Sequence, residues 1–262
     1  MRRPLQTLTA LFKALLLVGC NLTGIRDSLP SPTLEPTAPA AEGWELVMPG
    51  LERRYLQPEG LGGLAGVVVH RIDPALFAFR AHINPAAPLY DTGWRALRPD
   101  MVAFINANFF DPQGTALGLV VADSAVFGAS YVNRGGMFAV QNGIPRVQSL
   151  IQQPYDGAAL DQAVQGFPML VVDGVPNYQR GPGDRTSRRT VVAMDSQGRV
   201  LWISTTLLGM TLDETAAFLV SSGLDIVNAL NLDGGGSMLL SAPNAGLPSF
   251  DPVPVILAIY RK

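Results

Sequence analysis

The chain has 262 residues, 48% of them hydrophobic and 15% charged, which excludes a disordered polymer and fits one large domain or two small ones. Nineteen basic against twenty-one acidic residues leave a formal charge of -2, so the basic excess of a general nucleic-acid binder is missing and no nucleic-acid partner is expected. One cysteine and two histidines exclude an internal disulfide, a cysteine zinc site and a three-histidine metal site; a divalent metal is possible only with oxygen ligands.

The N-terminus reads Met1-Arg2-Arg3, then a short apolar run interrupted by Lys13, then Leu17-Val18-Gly19-Cys20. Basic residues before an apolar run too short to span a bilayer are expected to form a secretory signal over residues 1–19. The tetrapeptide ending in Cys20 resembles a bacterial lipobox, which implies acylation of Cys20. The expected location is then the cell envelope, as an exported lipoprotein held to a membrane by its N-terminal anchor. Residues 20–43 carry Pro30, Pro32, Pro36 and Pro39 with little charge, a semi-rigid spacer with a reach on the order of 70 Å. The alternatives are a cysteine buried at the end of an ordinary helix and an N-terminus with no anchoring role.

From Trp44 the chain changes to short apolar runs separated by turn residues, and residues 44–262 are expected to form a single α+β domain, strand-rich, with mixed sheets and few helices. Val67 to Ile72 predicts a strand. Phe77 to Ile83 alternates apolar and polar residues, predicting a half-buried strand with His82 on its polar side at the surface, and His70 is expected at a strand end. Asn142-Gly143, Asp173-Gly174 and Asp195-Ser196-Gln197-Gly198 each lie between apolar runs and predict hairpins. Asp156 is expected to cap a short helix ending before Gly166. Thr211 and Glu214 form a capping box for a second helix, with Leu212, Ala216, Leu219 and Val220 on its apolar face and Gly223 as its stop. A strand from Ile226 to Leu232 and another from Val253 to Tyr260 follow.

Three clusters carry chemistry. In Asn231-Leu-Asp233-Gly234-Gly235-Gly236-Ser237 a strand delivers an acid, and the following glycines are expected to turn their amides toward an anion. The alternative is a glycine hairpin from this strand to residues 238–241. Arg180-Gly-Pro-Gly-Asp184-Arg185-Thr-Ser-Arg188-Arg189-Thr190 offers four arginines, whose planar donors suit phosphate. Arg180 and Arg185 are expected in solvent and Arg189 at the core entrance. Asn106-Ala-Asn108-Phe109-Phe110-Asp111 ends an apolar strand in hydroxyl-reading amides, two aromatics and an acid. One of Phe109 and Phe110 is expected in the core, and Phe110 is read as the stacking platform.

In this order the clusters resemble those of the phosphodiester glycosidases, a family that includes the lysosomal uncovering enzyme and bacterial exopolysaccharide-related proteins. Asn106-Ala-Asn-Phe-Phe-Asp111 is similar to its Asn-Gly-Gly-Phe-Phe segment, and Arg189-Thr190 to its Arg-Thr strand start. Gly209-Met-Thr-Leu-Asp-Glu214 is similar to its Gly-x-x-Leu-x-Glu helix start, and Asn231 to Ser237 to its Asn-Leu-Asp-Gly-Gly-Gly-Ser motif. Ala107 and Asn108 stand where the family carries glycines, and Ser187-Arg188 where relatives often carry His-Pro.

The resemblance implies a carbohydrate-phosphate substrate cleaved at the C1–O bond of a sugar 1-phosphodiester. The phosphate monoester is a good leaving group, so a strong general acid matters less than in other glycosidases. Asp233 (as base or nucleophile), Arg189 and Asn106 are the catalytic candidates. Asn231, Gly234, Gly235, Gly236, Ser237, Thr190, Phe110 and Asp111 are the substrate-binding candidates, with Asp111 the reserve carboxylate. Two alternatives stay open: a metal-dependent phosphodiesterase cutting P–O, and a non-catalytic glycan-binding lipoprotein.

Overall fold

The computed structural model describes residues 43–60, 66–84 and 86–262. The expected signal, Cys20 and the spacer up to residue 42 lie outside them. Strands β1 (Glu45–Met48), β2 (Leu51–Leu56), β3 (Val67–Ile72) and β4 (Phe77–Ile83) lead to helix α1 (Asp91–Leu97). Then come β5 (Ala103–Asn106), β6 (Val120–Ala122), β7 (Ala125–Phe127), β8 (Gly136–Gln141), β9 (Ile144–Ser149) and β10 (Gln162–Gly166). They are followed by β11 (Met169–Val172), β12 (Val175–Pro176), β13 (Thr190–Asp195), β14 (Val200–Thr205), helix α2 (Leu212–Ser221) and β15 (Ile226–Asn231). The last strands are β16 (Leu240–Ala242), β17 (Ala245–Leu247) and β18 (Val255–Arg261).

These strands form three sheets: β1-β2-β3-β14-β13-β15-β11-β12, β7-β6-β10-β8-β9 and β17-β16-β5-β18-β4. The expected mixed sheets are not found; the pairings among the described residues are antiparallel. The reason is local. Tight turns reverse the chain at Asn142-Gly143 and Asp173-Gly174, where both residues of each pair have positive φ, and at Gly198. After the β13–β14 reversal, α2 carries the chain back along the sheet, and β15 descends beside β13 in the opposite sense.

The sheets close on a shared core. Val192, Trp202 and Leu230 of the first sheet meet Phe138 and Val164 of the second and Ile105 and Leu257 of the third, all buried. Full burial of each such side chain contributes roughly 1.5–3 kcal/mol. Val191 and Ala193, on the other face of β13, pack under α2 in a second cluster. Burial on both faces explains why β13 reads as an unbroken apolar run rather than an alternating one.

Helix α2 starts as its sequence predicts. Glu214 N–H donates to Thr211 Oγ1 (3.2 Å) and Thr211 N–H donates to Glu214 Oε2 (2.8 Å). Ala216 and Leu219 face the sheet, whereas Val220 is exposed. The helix expected after Asp156 is absent. Asp156 Oδ1 instead accepts from Ala158 N–H (3.0 Å) in a turn with Gly157 at positive φ, and the apolar residues beyond it form β10. Both histidines are also corrected. His70 lies mid-strand and fully buried, and His82 is buried beneath the Tyr260 hydroxyl (2.7 Å). Burial lowers the pKa of each to about 4.

The starts of β11 and β13 and the finish of β15 share one end of the first sheet. From there residues 232–239 cross to β16 in the third sheet, through a 3-10 turn at Gly235–Ser237. The chain therefore makes no hairpin at the glycines. It steps between sheets, and the step leaves a cavity.

Candidate active site

The cavity, about 590 Å³, is lined by groups from five parts of the chain. Asn231, Asp233, Gly234 and Gly235 form its floor. Phe109, Phe167 and Pro168 form an apolar wall. Gly183, Asp184, Arg185, Ser187 and Arg189 line it from the segment before β13, and Leu212 from the first turn of α2. Tyr178 completes the lining.

Asp233 is the acid on the floor of this cavity. Its position is fixed through its backbone, because its N–H donates to Ala107 O (2.9 Å) and its carbonyl accepts from Asn106 Nδ2 (2.7 Å). Its Oδ1 accepts from Gly234 N–H (2.8 Å). Burial pushes the carboxyl up to about 6, with a smaller push from the charge of Asp251. Hydrogen bonds from the Ser237 hydroxyl and the Gly234 amide oppose that rise by favouring the charged form. A carboxyl poised near neutrality inside a cavity is suited to exchange protons with a substrate or a water.

Asn231 lies two residues earlier and faces the same cavity. Its Nδ2 donates to Phe167 O (2.8 Å), which fixes the orientation of the amide. Its Oδ1 is buried without a partner. An acceptor left bare in this way costs roughly 1–3 kcal/mol unless a ligand or water supplies a donor.

Other expected site residues are placed elsewhere. Asn106 is 1% exposed and does not line the cavity. Its Oδ1 accepts from Thr190 Oγ1 (2.6 Å) and Leu239 N–H (2.9 Å), so with its bond to the Asp233 carbonyl it ties β5, β13 and the crossing segment together. Asn106 and Thr190 are positioning residues. The same holds for Asn108, whose Nδ2 donates to Leu117 O (3.0 Å). Phe110 packs beside Trp94 and Phe104 in a core cluster, and the cavity aromatic is Phe109, which stacks on Phe167 with ring centres 4.4 Å apart. Asp111 Oδ1 accepts from Gln113 and Thr115 N–H (3.0 and 2.8 Å), shaping a turn away from the cavity.

The glycines serve close packing rather than an open row of amides. Gly234 N–H is held by the Asp233 carboxylate, and Gly235 N–H by the Arg188 carbonyl (2.8 Å). A side chain on Gly234 would strike the Arg188 carbonyl, and one on Gly236 would strike the Asp251 carboxylate. Gly236 and Ser237 do not line the cavity, although the Ser237 hydroxyl reaches Asp233.

Among the arginines, Arg180 and Arg185 are exposed as expected, with Arg185 at the cavity. Arg189 also lines it, but is braced: Nε donates to Met210 O (2.8 Å), Nη2 to Arg185 O (2.7 Å), and Nη2 lies 3.4 Å from Asp184 Oδ1. Arg188 turns the other way, donating to Pro248 O (2.7 Å) with its guanidinium 4.5 Å from the Phe250 ring centre. The sequence reading missed Phe167-Pro168, Asp184 and Asp251. Asp184 sits inside the arginine cluster it had singled out; Phe167 and Asp251 carry no local signal. The described residues hold no group of three or more His, Cys, Asp or Glu side chains able to gather a metal ion.

The antiparallel fold thus holds a raised carboxyl and an aromatic wall in a single cavity. The chain belongs to the phosphodiester glycosidase family, whose model matches residues 100–260. Its fold is similar to the catalytic domain of zebrafish N-acetylglucosamine-1-phosphodiester alpha-N-acetylglucosaminidase, auto-inhibited by its pro-peptide. That match has a TM-score of 0.66 at 18% identity and covers 83% of this chain and 86% of that one. A hypothetical protein from Synechocystis matches with TM-score 0.61 at 16% identity over 81% of this chain and 62% of its own. A putative exported protein from Burkholderia pseudomallei matches with TM-score 0.56 at 14% identity over 75% and 74%. At these identities the likeness is one of fold. No curated protein matches the chain.

Proposed function

We propose that the protein hydrolyses a sugar 1-phosphodiester at the C1–O bond. The observation that carries this reading is Asp233, a carboxyl raised to about 6 in the cavity of a family member. In its ionised form it either takes a proton from the attacking water or attacks C1 itself. The C1–O bond breaks with its electron pair going to the phosphate oxygen, and a phosphate monoester leaves. Phe109 presents an aromatic face to the sugar, and Asn231 lines the floor beside it. Arg189 and Arg185 stand at the wall where the phosphate charge would lie.

The signal-like N-terminus and the lipobox-like Cys20 support an exported protein held at a membrane of the cell envelope. The fold likeness to a putative exported protein agrees with that placement.

The test is a screen of purified protein against sugar 1-phosphodiesters, with and without chelator, in water enriched in heavy oxygen. The reading expects the heavy oxygen in the released sugar. Its appearance in the phosphate would replace the reading with P–O cleavage, and loss of activity with chelator would add a metal to it.

A further inference from the structure

The phosphate of this reading needs donors that face the cavity and are not already spent inside the protein. The Gly234 and Gly235 amides are spent. The cationic wall is the segment leading into β13, where residues 183, 185, 187 and 189 line the cavity and Thr186 and Arg188 do not. This is the period of two of an extended chain, which turns alternate side chains to one side. Arg188 accordingly points the other way, to Pro248 O. Asp184 also lines the cavity, but its carboxylate accepts from the Leu212 and Asp213 amides and so pins the segment to the start of α2.

The polar side chains that share the cavity side of this segment differ in what they have left to offer. Arg189 donates from Nε to Met210 O and from Nη2 to Arg185 O, with Asp184 Oδ1 beside Nη2. Arg185 and Ser187 make no side-chain hydrogen bond or ion pair among the described residues. Their backbones, in contrast, are held. Arg185 O accepts from Arg189, and Ser187 N–H and C=O pair with Met210 (3.2 and 2.9 Å). That pairing needs Gly209, where a side chain would strike the Ser187 carbonyl. A methyl group at Gly235 would stand 3.4 Å from Ser187 Oγ, so this hydroxyl lies against the cavity floor, two residues along from Asp233. A fixed backbone carrying uncommitted donors is pre-organised to receive a ligand.

We propose that Arg185 and Ser187 are the phosphate-binding residues of this site, and that Arg189 acts through Arg185 by holding its backbone. The planar donors of Arg185 take the non-bridging phosphate oxygens, and the Ser187 hydroxyl, nearer Asp233, donates to the oxygen bonded to C1. This rests on the phosphodiester reading above and assigns the phosphate end of its site. It reverses the expectation that set Arg185 in solvent and Arg189 at the substrate.

The experiment measures binding of inorganic phosphate to the full chain by calorimetry, for wild type, Arg185→Gln, Ser187→Ala and Arg180→Gln. Arg180 is exposed in the same cluster and does not line the cavity, so its variant removes an equal charge away from the site. Phosphate should bind at least about tenfold more weakly to Arg185→Gln, about threefold more weakly to Ser187→Ala and less than about twofold more weakly to Arg180→Gln. Melting temperatures should stay at the wild-type value, since neither Arg185 nor Ser187 holds another side chain. Equal losses in Arg185→Gln and Arg180→Gln, no phosphate binding by the wild type, or an Arg185→Gln protein that melts early or fails to fold overturn the proposal; an unchanged Ser187→Ala removes Ser187 from it. Adding Arg189→Lys to Arg185→Gln should weaken phosphate by less than about a further twofold, and an additive loss overturns the bracing role by giving Arg189 its own contact. The measurement needs no turnover. A protein that binds phosphate in this way but cleaves no sugar phosphodiester loses the reaction and keeps the anion site. One that cleaves a sugar phosphodiester with KM unchanged in Arg185→Gln keeps the reaction and loses the site.

Discussion

Asn106 and Asn231 end two strands of different sheets, beside motifs of similar composition, and meet opposite fates. Asn106 spends its whole amide inside the protein, on Thr190, Leu239 and the Asp233 carbonyl. Asn231 spends half of its amide on Phe167 and leaves its Oδ1 buried without a partner beside the cavity. The difference lies in where the next strand runs. The third sheet brings β16 and the crossing segment against β5, closing over Asn106, whereas the same crossing segment leaves β15 and opens the space before Asn231. Motif residues thus divide into those that build the site and those that line the cavity, and hydrogen-bond accounting separates them.

The largest effect that would sharpen this division is at Asp233, on the open side. Asp233→Asn keeps an acceptor for Gly234 N–H and should lower turnover by about 100-fold or more. The carboxyl is raised in the folded protein, so it binds its proton more tightly there than in the unfolded chain. Its contribution to stability is present below pH 4 and is lost as pH rises through about 6. Near pH 7 the melting temperature of Asp233→Asn should therefore equal or exceed that of the wild type, with the gain disappearing below pH 4. In the proposed reaction the ionised form reacts, so wild-type kcat/KM should rise with pH to a plateau with a midpoint about 6. A destabilised variant with full turnover would break the comparison.

Next come the two asparagines. Asn106→Ala leaves the Asp233 carbonyl, Thr190 and Leu239 without their partner, and should cost about 2–3 kcal/mol in denaturant unfolding. Asn231→Ala should cost less than about 1 kcal/mol in stability while lowering kcat/KM about tenfold. Similar profiles for the two would erase the distinction between building and facing.

Arg189→Lys keeps the charge and loses the planar donors, so kcat/KM should fall at least about tenfold, whereas exposed Arg180→Lys should be silent. The smallest effect belongs to Asp111. Asp111→Ala should change turnover by less than about twofold, since its carboxylate shapes only its own turn. A loss near that of Asp233→Asn would restore Asp111 as a reacting acid.

Much of the frame is legible in the residues alone. The positive-φ pairs Asn142-Gly143 and Asp173-Gly174 turn where the pattern places them, and Thr211 with Glu214 starts α2. Asp233 and Asn231 are also legible, because residues two apart at the end of a strand share one face. What the sequence hid depends on contacts between distant segments. Phe109 and Phe110 differ only in which side of a short loop they take, and Phe167, far along the chain, selects Phe109. His82 alternates as a surface residue would, yet its side faces the Tyr260 hydroxyl of β18. The glycine run predicts open donors, but close approach by the Arg188 carbonyl and the Asp251 carboxylate sets its use.

The first sheet also has a blind end. Its cavity lies where β11 and β13 start, while Asp173-Gly174, Gly198 and Asp225 make tight turns at the opposite pole. At Gly198 a methyl group would meet nothing within 4 Å. Lengthening a surface connection costs only about 0.6 kcal/mol per doubling. A reporter peptide or a whole domain spliced between Gln197 and Gly198 should therefore leave the cavity untouched, whereas the same insert beside Gly183 would remodel its wall. The molecule offers a graftable pole facing away from its chemistry, a natural handle for immobilising it or fusing it to a partner.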